Sequence, residues 1–139
     1  MLWGGGKLGK LNARRDGFER PPVKLVDTDG EAMGYEGNAL VRINDRYFIT
    51  GAEWNGPLRT HGTYDMMFGT ARSIWGPYSK RQLGAPHAGH GTIFKDGAGK
   101  WWTTMFGNDV TAPFRKQLGL VPVRVDLKGG LTLDDRPLR

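Results

Sequence analysis

Short runs of alternating apolar and polar residues recur along the chain between polar clusters, and two stretches repeat one order. Residues 38–51 hold the apolar run Ala39-Leu40-Val41-Arg42-Ile43, the polar pair Asn44-Asp45, basic Arg46, the aromatics Tyr47-Phe48 and the β-branched pair Ile49-Thr50. Residues 91–107 repeat it with Thr92-Ile93-Phe94, a turn through Asp96-Gly97-Ala98-Gly99, basic Lys100, Trp101-Trp102 and Thr103-Thr104. An Asn-, Asp- or Gly-rich break between two such runs is the signal of a β-hairpin, so each stretch is predicted to be one. The offset between the copies, about 54 residues, is too long for a hairpin alone and matches a four-stranded propeller blade. Two further strands are therefore expected after each hairpin. They are residues 63–71 and, beyond the Gly76-Pro77-Tyr78 turn, 79–83 in the first copy. In the second the weaker candidates are 113–116 and 121–125, followed by a last short strand at 131–133.

Ahead of the first copy, residues 6–12 and 23–26 read as strands separated by the polar stretch 14–20, like the tail of an earlier blade. No segment keeps a helical period over three turns. The fold class expected is all-β, a partial β-propeller of about two to two and a half four-stranded antiparallel blades. Residues 1–139 form one domain, with 1–30 as the tail, 31–84 as one blade and 85–139 as the next. The same hairpins also suit a β-sandwich or a plain antiparallel barrel, and periodicity alone leaves these open.

Composition adjusts this picture in three places. The 22 glycines and 8 prolines are scattered between apolar runs, so they punctuate short strands instead of marking disorder. The absence of cysteine removes disulfides and thiolate metal sites. The net charge of +6 comes from 20 dispersed Lys and Arg residues with no nucleic-acid motif, so a solvated basic surface is expected and no nucleic-acid partner. The opening residues lack a signal-peptide pattern and no segment reaches membrane-spanning length, which predicts a cytoplasmic chain without a membrane partner.

Several strings go beyond periodicity. Gly34-Tyr35-Glu36-Gly37-Asn38, Ser73-Ile74-Trp75-Gly76-Pro77-Tyr78 and Gly89-His90-Gly91-Thr92-Ile93-Phe94-Lys95-Asp96 are followed by Trp101-Trp102-Thr103-Thr104-Met105-Phe106-Gly107-Asn108-Asp109 and Ala112-Pro113-Phe114-Arg115. In this order they resemble the later blades of glycoside hydrolase family 43, which contains arabinofuranosidases, xylosidases, arabinanases and galactosidases. The resemblance implies a five-bladed propeller with an inverting active site at one end of its channel. It implies three carboxylates there: an aspartate base from the first blade, an aspartate that tunes the acid from the third, and a glutamate acid opening the fourth. Glu36 matches the acid position, and the chain is expected to begin too late to hold either aspartate. A glycosidase-like chain with an incomplete catalytic set, inactive alone, is the resulting expectation; the alternative is a homo-oligomeric sugar-binding or scaffold module without catalysis.

An inverting glycosidase needs a protonated carboxyl beside the leaving oxygen and a carboxylate about 6.5–9.5 Å away to activate water. Glu36 could supply the first, with desolvation at a strand start raising its pKa; otherwise it is an ordinary surface carboxylate. His90 holds the equivalent place in the second repeat between two glycines, and is expected to hydrogen-bond sugar or structure in preference to a metal. Neither His61 nor His87 completes a ligand spacing, so no metal and no cofactor are expected. By the resemblance, Arg115 reaches the sugar, or else it is a surface cation. Trp54, in the loop-like Ala52-Glu53-Trp54-Asn55-Gly56, is the tryptophan best placed for a carbohydrate ligand, since adjacent Trp101 and Trp102 point to opposite faces of a strand. An incomplete ring leaves open edges and apolar faces, which predicts a homodimer burying more than about 1,000 Å². A two-fold axis along the channel cannot map a regular five-bladed ring onto itself, so such a dimer departs from that ring by an even blade count, a face-to-face arrangement or swapped strands.

Overall fold

A computed structural model describes residues 1–54, 64–107, 117–126 and 130–133. Three antiparallel sheets follow one another along the chain, and the described residues contain no helix. The first is small: β1 (Leu2–Trp3), β2 (Lys7–Leu8) and β3 (Val23–Lys24) lie in the order β1-β2-β3. The second is a full four-stranded blade, β4 (Glu36–Ile43), β5 (Arg46–Trp54), β6 (Tyr64–Ala71) and β7 (Gln82–Ala85), in sequential order. The third holds β8 (Ala88–Gly89), β9 (Ile93–Lys95), β10 (Trp101–Gly107), β11 (Leu118–Val125) and β12 (Leu131–Leu133). Its order is β12-β11-β10, with both β8 and β9 on the far side of β10. The all-β, partial-propeller expectation holds.

Both hairpins form where turn chemistry places them. Ile43 pairs with Arg46 across Asn44-Asp45, and Asn44 adopts φ 55°, a left-handed conformation that Asn tolerates better than most residues. In the second, Asp96 organises the turn. Its Oδ1 accepts the N–H groups of Ala98 (2.9 Å) and Lys100 (2.8 Å), and its Oδ2 accepts the Trp102 indole N–H (2.7 Å). The Trp102 bond, followed by that of Lys100, holds this carboxyl below its ordinary pKa.

Two apolar clusters flank the middle sheet. Phe48, Met66 and Phe68 meet Ile93, Met105, Val121 and Val123 of the third sheet, while Leu8, Leu25 and Met33 meet Ile49, Ala71 and Tyr78 on the other side. β6 is consequently buried along its whole length, and reads as a near-continuous apolar run because both of its faces are covered. Burying a side chain such as Phe48 contributes about 1.5–3 kcal/mol. Truncating it would open a cavity between the second and third sheets.

Some boundaries differ from expectation. The fourth strand of the blade is Gln82–Ala85, not 79–83. Ser79 does pair with Thr70, its N–H bonding the Thr70 carbonyl (2.8 Å), but the chain then leaves the ladder. Arg81 is drawn aside: its backbone N–H bonds Asp27 Oδ2 (3.1 Å), and Nη1 lies 2.6 Å from both Glu53 oxygens. The predicted strand 6–12 shrinks to Lys7–Leu8, which turns through Gly4-Gly5-Gly6 onto the unpredicted β1. Strand 121–125 extends back to Leu118, and residues 113–116 lie outside the described residues. Ala52-Glu53-Trp54 is the end of β5, not a loop.

Candidate functional site

The innermost strands of the second and third sheets are interrupted at matching places. In β4 the pairing to β5 shifts between Glu36 and Ala39, a bulge containing Gly37 at φ +59°. In the third sheet, β8 and β9 are two halves of one innermost strand, broken at His90, which adopts φ 54°. Each break turns a side chain out of the ladder. The first is braced by Asn38, whose Nδ2 donates to the carbonyls of Met33 and Thr50. The second is braced by Thr92 and Thr104, which exchange two 3.1 Å bonds.

These breaks bring Glu36 and His90 together. Glu36 Oε1 lies 3.7 Å from His90 Nε2, an ion pair when the imidazole is protonated. Gly37 permits the approach, since a Cβ there would meet the His90 Cα and Cγ at 3.0 Å. A buried bond across the same seam, from Thr50 Oγ1 to the Gly91 carbonyl (3.2 Å), ties the two sheets. The side chains of Glu36 and His90 are 44% and 47% exposed, so the burial expected around Glu36 is only partial.

Tyr64 completes the cluster, and the sequence pattern did not single it out. Its hydroxyl donates to Glu36 Oε1, and its ring centroid is 6.0 Å from that of His90. Burial, then the bond to Glu36 and that residue's charge, raise the Tyr64 hydroxyl well above its ordinary pKa, so it stays a donor at physiological pH. The available signal was register: Tyr64 is the last member of the inward row with Met66 and Phe68, at the strand end opposite Trp54. Trp54 packs edge-on against it at 5.6 Å between centroids and is 40% exposed. Tyr35, next to Glu36, is also exposed.

The cluster offers one carboxyl held by a hydroxyl donor, an imidazole, and aromatic surface on one side. Arg115 and His61 lie outside the described residues. His87 lies apart in role: its backbone N–H bonds Asp65 Oδ1 (2.8 Å). Among the described residues, no group of three or more His, Cys, Asp or Glu side chains could hold a metal.

No family model matches the sequence, and no curated protein does. Solved structures do match. An α-L-arabinanase of Cellvibrio cellulosa, complexed with arabinohexaose, superposes with a TM-score of 0.71 at 18% identity over 96% of this chain and 51% of its own. An exo-1,5-α-L-arabinanase from a bovine ruminal metagenomic library gives 0.69 at 18% identity over 95% and 51%, respectively. The GH43 protein BlXynB of Bacillus licheniformis gives 0.64 at 18% identity over 97% and 29%.

The fold is that of the family 43 propellers.

The resemblance carried by the ordered strings is thus borne out for the fold. The chain spans about half the length of the arabinanases it matches. Within this partial propeller, Glu36 and His90 occupy corresponding breaks of successive blades, which gives a geometric meaning to the repeat offset read from sequence.

Proposed function

We propose that the chain provides the acid-bearing wall of a carbohydrate site, one that binds pentose oligosaccharides and does not hydrolyse them as these 139 residues alone. The observation that carries this reading is the position of Glu36: at the first residue of an innermost strand, held by Tyr64, facing His90, in a fold shared with arabinanases. Glu36 holds the acid position and Tyr64 fixes its carboxyl. His90 is a hydrogen-bonding group for sugar hydroxyls, and Trp54 an indole face for the sugar ring. Arg115 is assigned to sugar contact by the resemblance alone. Inversion requires a second carboxylate about 6.5–9.5 Å from the first, and among the described residues the cluster holds one. In this reading the base comes from outside the cluster.

Titration with arabino- and xylo-oligosaccharides, followed by tryptophan fluorescence, tests the binding. Dissociation constants of about 1 mM are expected, weakened at least about tenfold in Trp54→Ala. Aryl arabinofuranosides and xylosides should remain uncleaved. Failure of every oligosaccharide to bind would overturn the carbohydrate reading; cleavage abolished by Glu36→Gln would overturn the incompleteness and restore an active enzyme.

A further inference from the structure

An antiparallel sheet with one wet face alternates apolar-inward and polar-outward. The third sheet breaks that rule on its outward side. Its inward row, including Ile93, Thr103, Met105, Val121 and Val123, is buried, most of it against the middle sheet. The outward row runs in cross-strand register from Phe94–Trp102–Pro122 through Thr104–Leu120 to Phe106–Leu118. Phe94, Phe106, Leu120 and Leu118 are 37%, 39%, 49% and 73% exposed. Together these four leave roughly 400 Å² of apolar surface in water, in the range of the largest and often functional patch on a protein.

We infer that the outward face of β9, β10 and β11 is a self-association surface, on which the same face of a second copy packs about a two-fold axis. A flat apolar sheet face is matched by another such face stacked about 10 Å away. The row from Phe94 to Leu118 contains no charge, so its burial strands none. Among the described residues, Arg124 continues the row beyond Pro122 and Lys100 lies over the Trp102 ring, which puts these two cations at one end. A two-fold axis crossing the strands near Thr104 and Leu120 sets the cationic ends of the two copies at opposite ends of the interface. Head-to-tail packing onto the first sheet is a worse match. Its outward row is Trp3–Lys7–Lys24, and covering it with Phe106 and Leu118 would bury two ammonium groups. Two apolar faces with their margins remove roughly 1,000 Å² in total, the lower edge of specific interfaces. A dissociation constant of about 1–10 μM is expected.

Sedimentation equilibrium of the 139-residue chain over about 1–100 μM reads this directly. The expected mass rises from the 15.4 kDa of one chain to that of two and stops there. Leu118→Lys and Phe106→Lys, both at exposed positions, should each weaken association at least about 100-fold with unchanged circular dichroism. Leu83→Lys, 44% exposed on β7, should leave it intact. In a second measurement that does not depend on weakening, Thr104→Cys, at the middle of the row in a chain without cysteine, should oxidise to a covalent dimer faster than Leu83→Cys. A chain that stays monomeric at about 100 μM would overturn the inference. So would open-ended oligomers, a Leu118→Lys variant that dimerises like wild type, or equal cross-linking of the two cysteine variants.

Discussion

The approach of Glu36 to His90 depends on one missing Cβ, and Gly37→Ala measures how much. Gly37 sits at φ +59°, where an L side chain costs about 1–2 kcal/mol. The added carbon would also meet the His90 Cα and Cγ at 3.0 Å. The imidazole can rotate, and an off-rotamer side chain costs about 0.5–1.5 kcal/mol. The Cα is backbone and cannot rotate away, so the seam itself must open slightly. These two costs total about 1.5–3.5 kcal/mol, which for a chain of this size lowers Tm by roughly 5–12 °C. Gly97→Ala is the control, because nothing lies within 4 Å of a Cβ there, and it should stay within about 0.5 kcal/mol of wild type. Thermal unfolding followed by circular dichroism gives both numbers. Side-chain NMR of His90 gives the accompanying loss of contact with Glu36. A Gly37→Ala chain as stable as Gly97→Ala, with an unchanged His90 signal, would refute the close approach.

The Asp27 carboxyl gives a prediction for acid. Burial alone would raise its pKa, but hydrogen bonds from the backbone N–H groups of Arg81, Glu31 and Asp29, with the Arg81 charge, outweigh that and hold it below 3.8. Its stabilisation is therefore complete above about pH 4 and is lost as pH falls through the lower folded value. Asp27→Asn should lose about 2–3 kcal/mol in urea unfolding at neutral pH, with the gap to wild type narrowing below about pH 3. At the other extreme, burial first and then Glu36 raise the Tyr64 hydroxyl, while burial and then Tyr47 raise that of Tyr78. Stability is fully present below the ordinary phenol pKa of about 10 and falls as pH rises above it. Phenolate absorbance for these two tyrosines should appear together with alkaline unfolding; its appearance in a chain still folded by circular dichroism would contradict their burial.

Local chemistry made the hairpins legible, and distant chemistry hid the outer strands and the site. Asn44-Asp45 and Asp96-Gly97 specify their turns from neighbouring residues, so strands on both sides fall where the pattern puts them. The fourth strand of the middle sheet moved because Arg81 is claimed by Asp27, 54 residues earlier, and by Glu53, 28 residues earlier. No window of sequence contains that competition. The Glu36–His90 pairing was half legible: the repeat put both residues at the same point of successive units, while the distance between them is set by sheet packing. Tyr64 was missed because in sequence it only begins an apolar strand, and its hydroxyl gains meaning from Glu36, two strands away in the same sheet. Trp54 was singled out for a loop position, and it is in fact the end of β5.

The glycines change meaning most between sequence and structure. Read as punctuation, they separate strands; in the structure three of them line the seam under the site. A Cβ on Gly89 would meet Tyr64 Cε1 at 2.5 Å and the Ala52 Cβ at 2.7 Å, and one on Gly91 would meet Met66 Sδ at 2.5 Å. With Gly37 facing His90, these positions keep side chains out of the space between the second and third sheets. The two sheets can then approach until Thr50 reaches the Gly91 carbonyl and Glu36 lies 3.7 Å from His90. Catalytic-type groups are usually fixed by partners added around them; this cluster is fixed largely by what is left out beneath it. The geometry of Glu36 therefore belongs both to its own blade, through Tyr64, and to the contact with the next, through His90. A change at Gly89 or Gly91, which touch neither carboxylate oxygen of Glu36, should displace that residue as surely as a change at Tyr64.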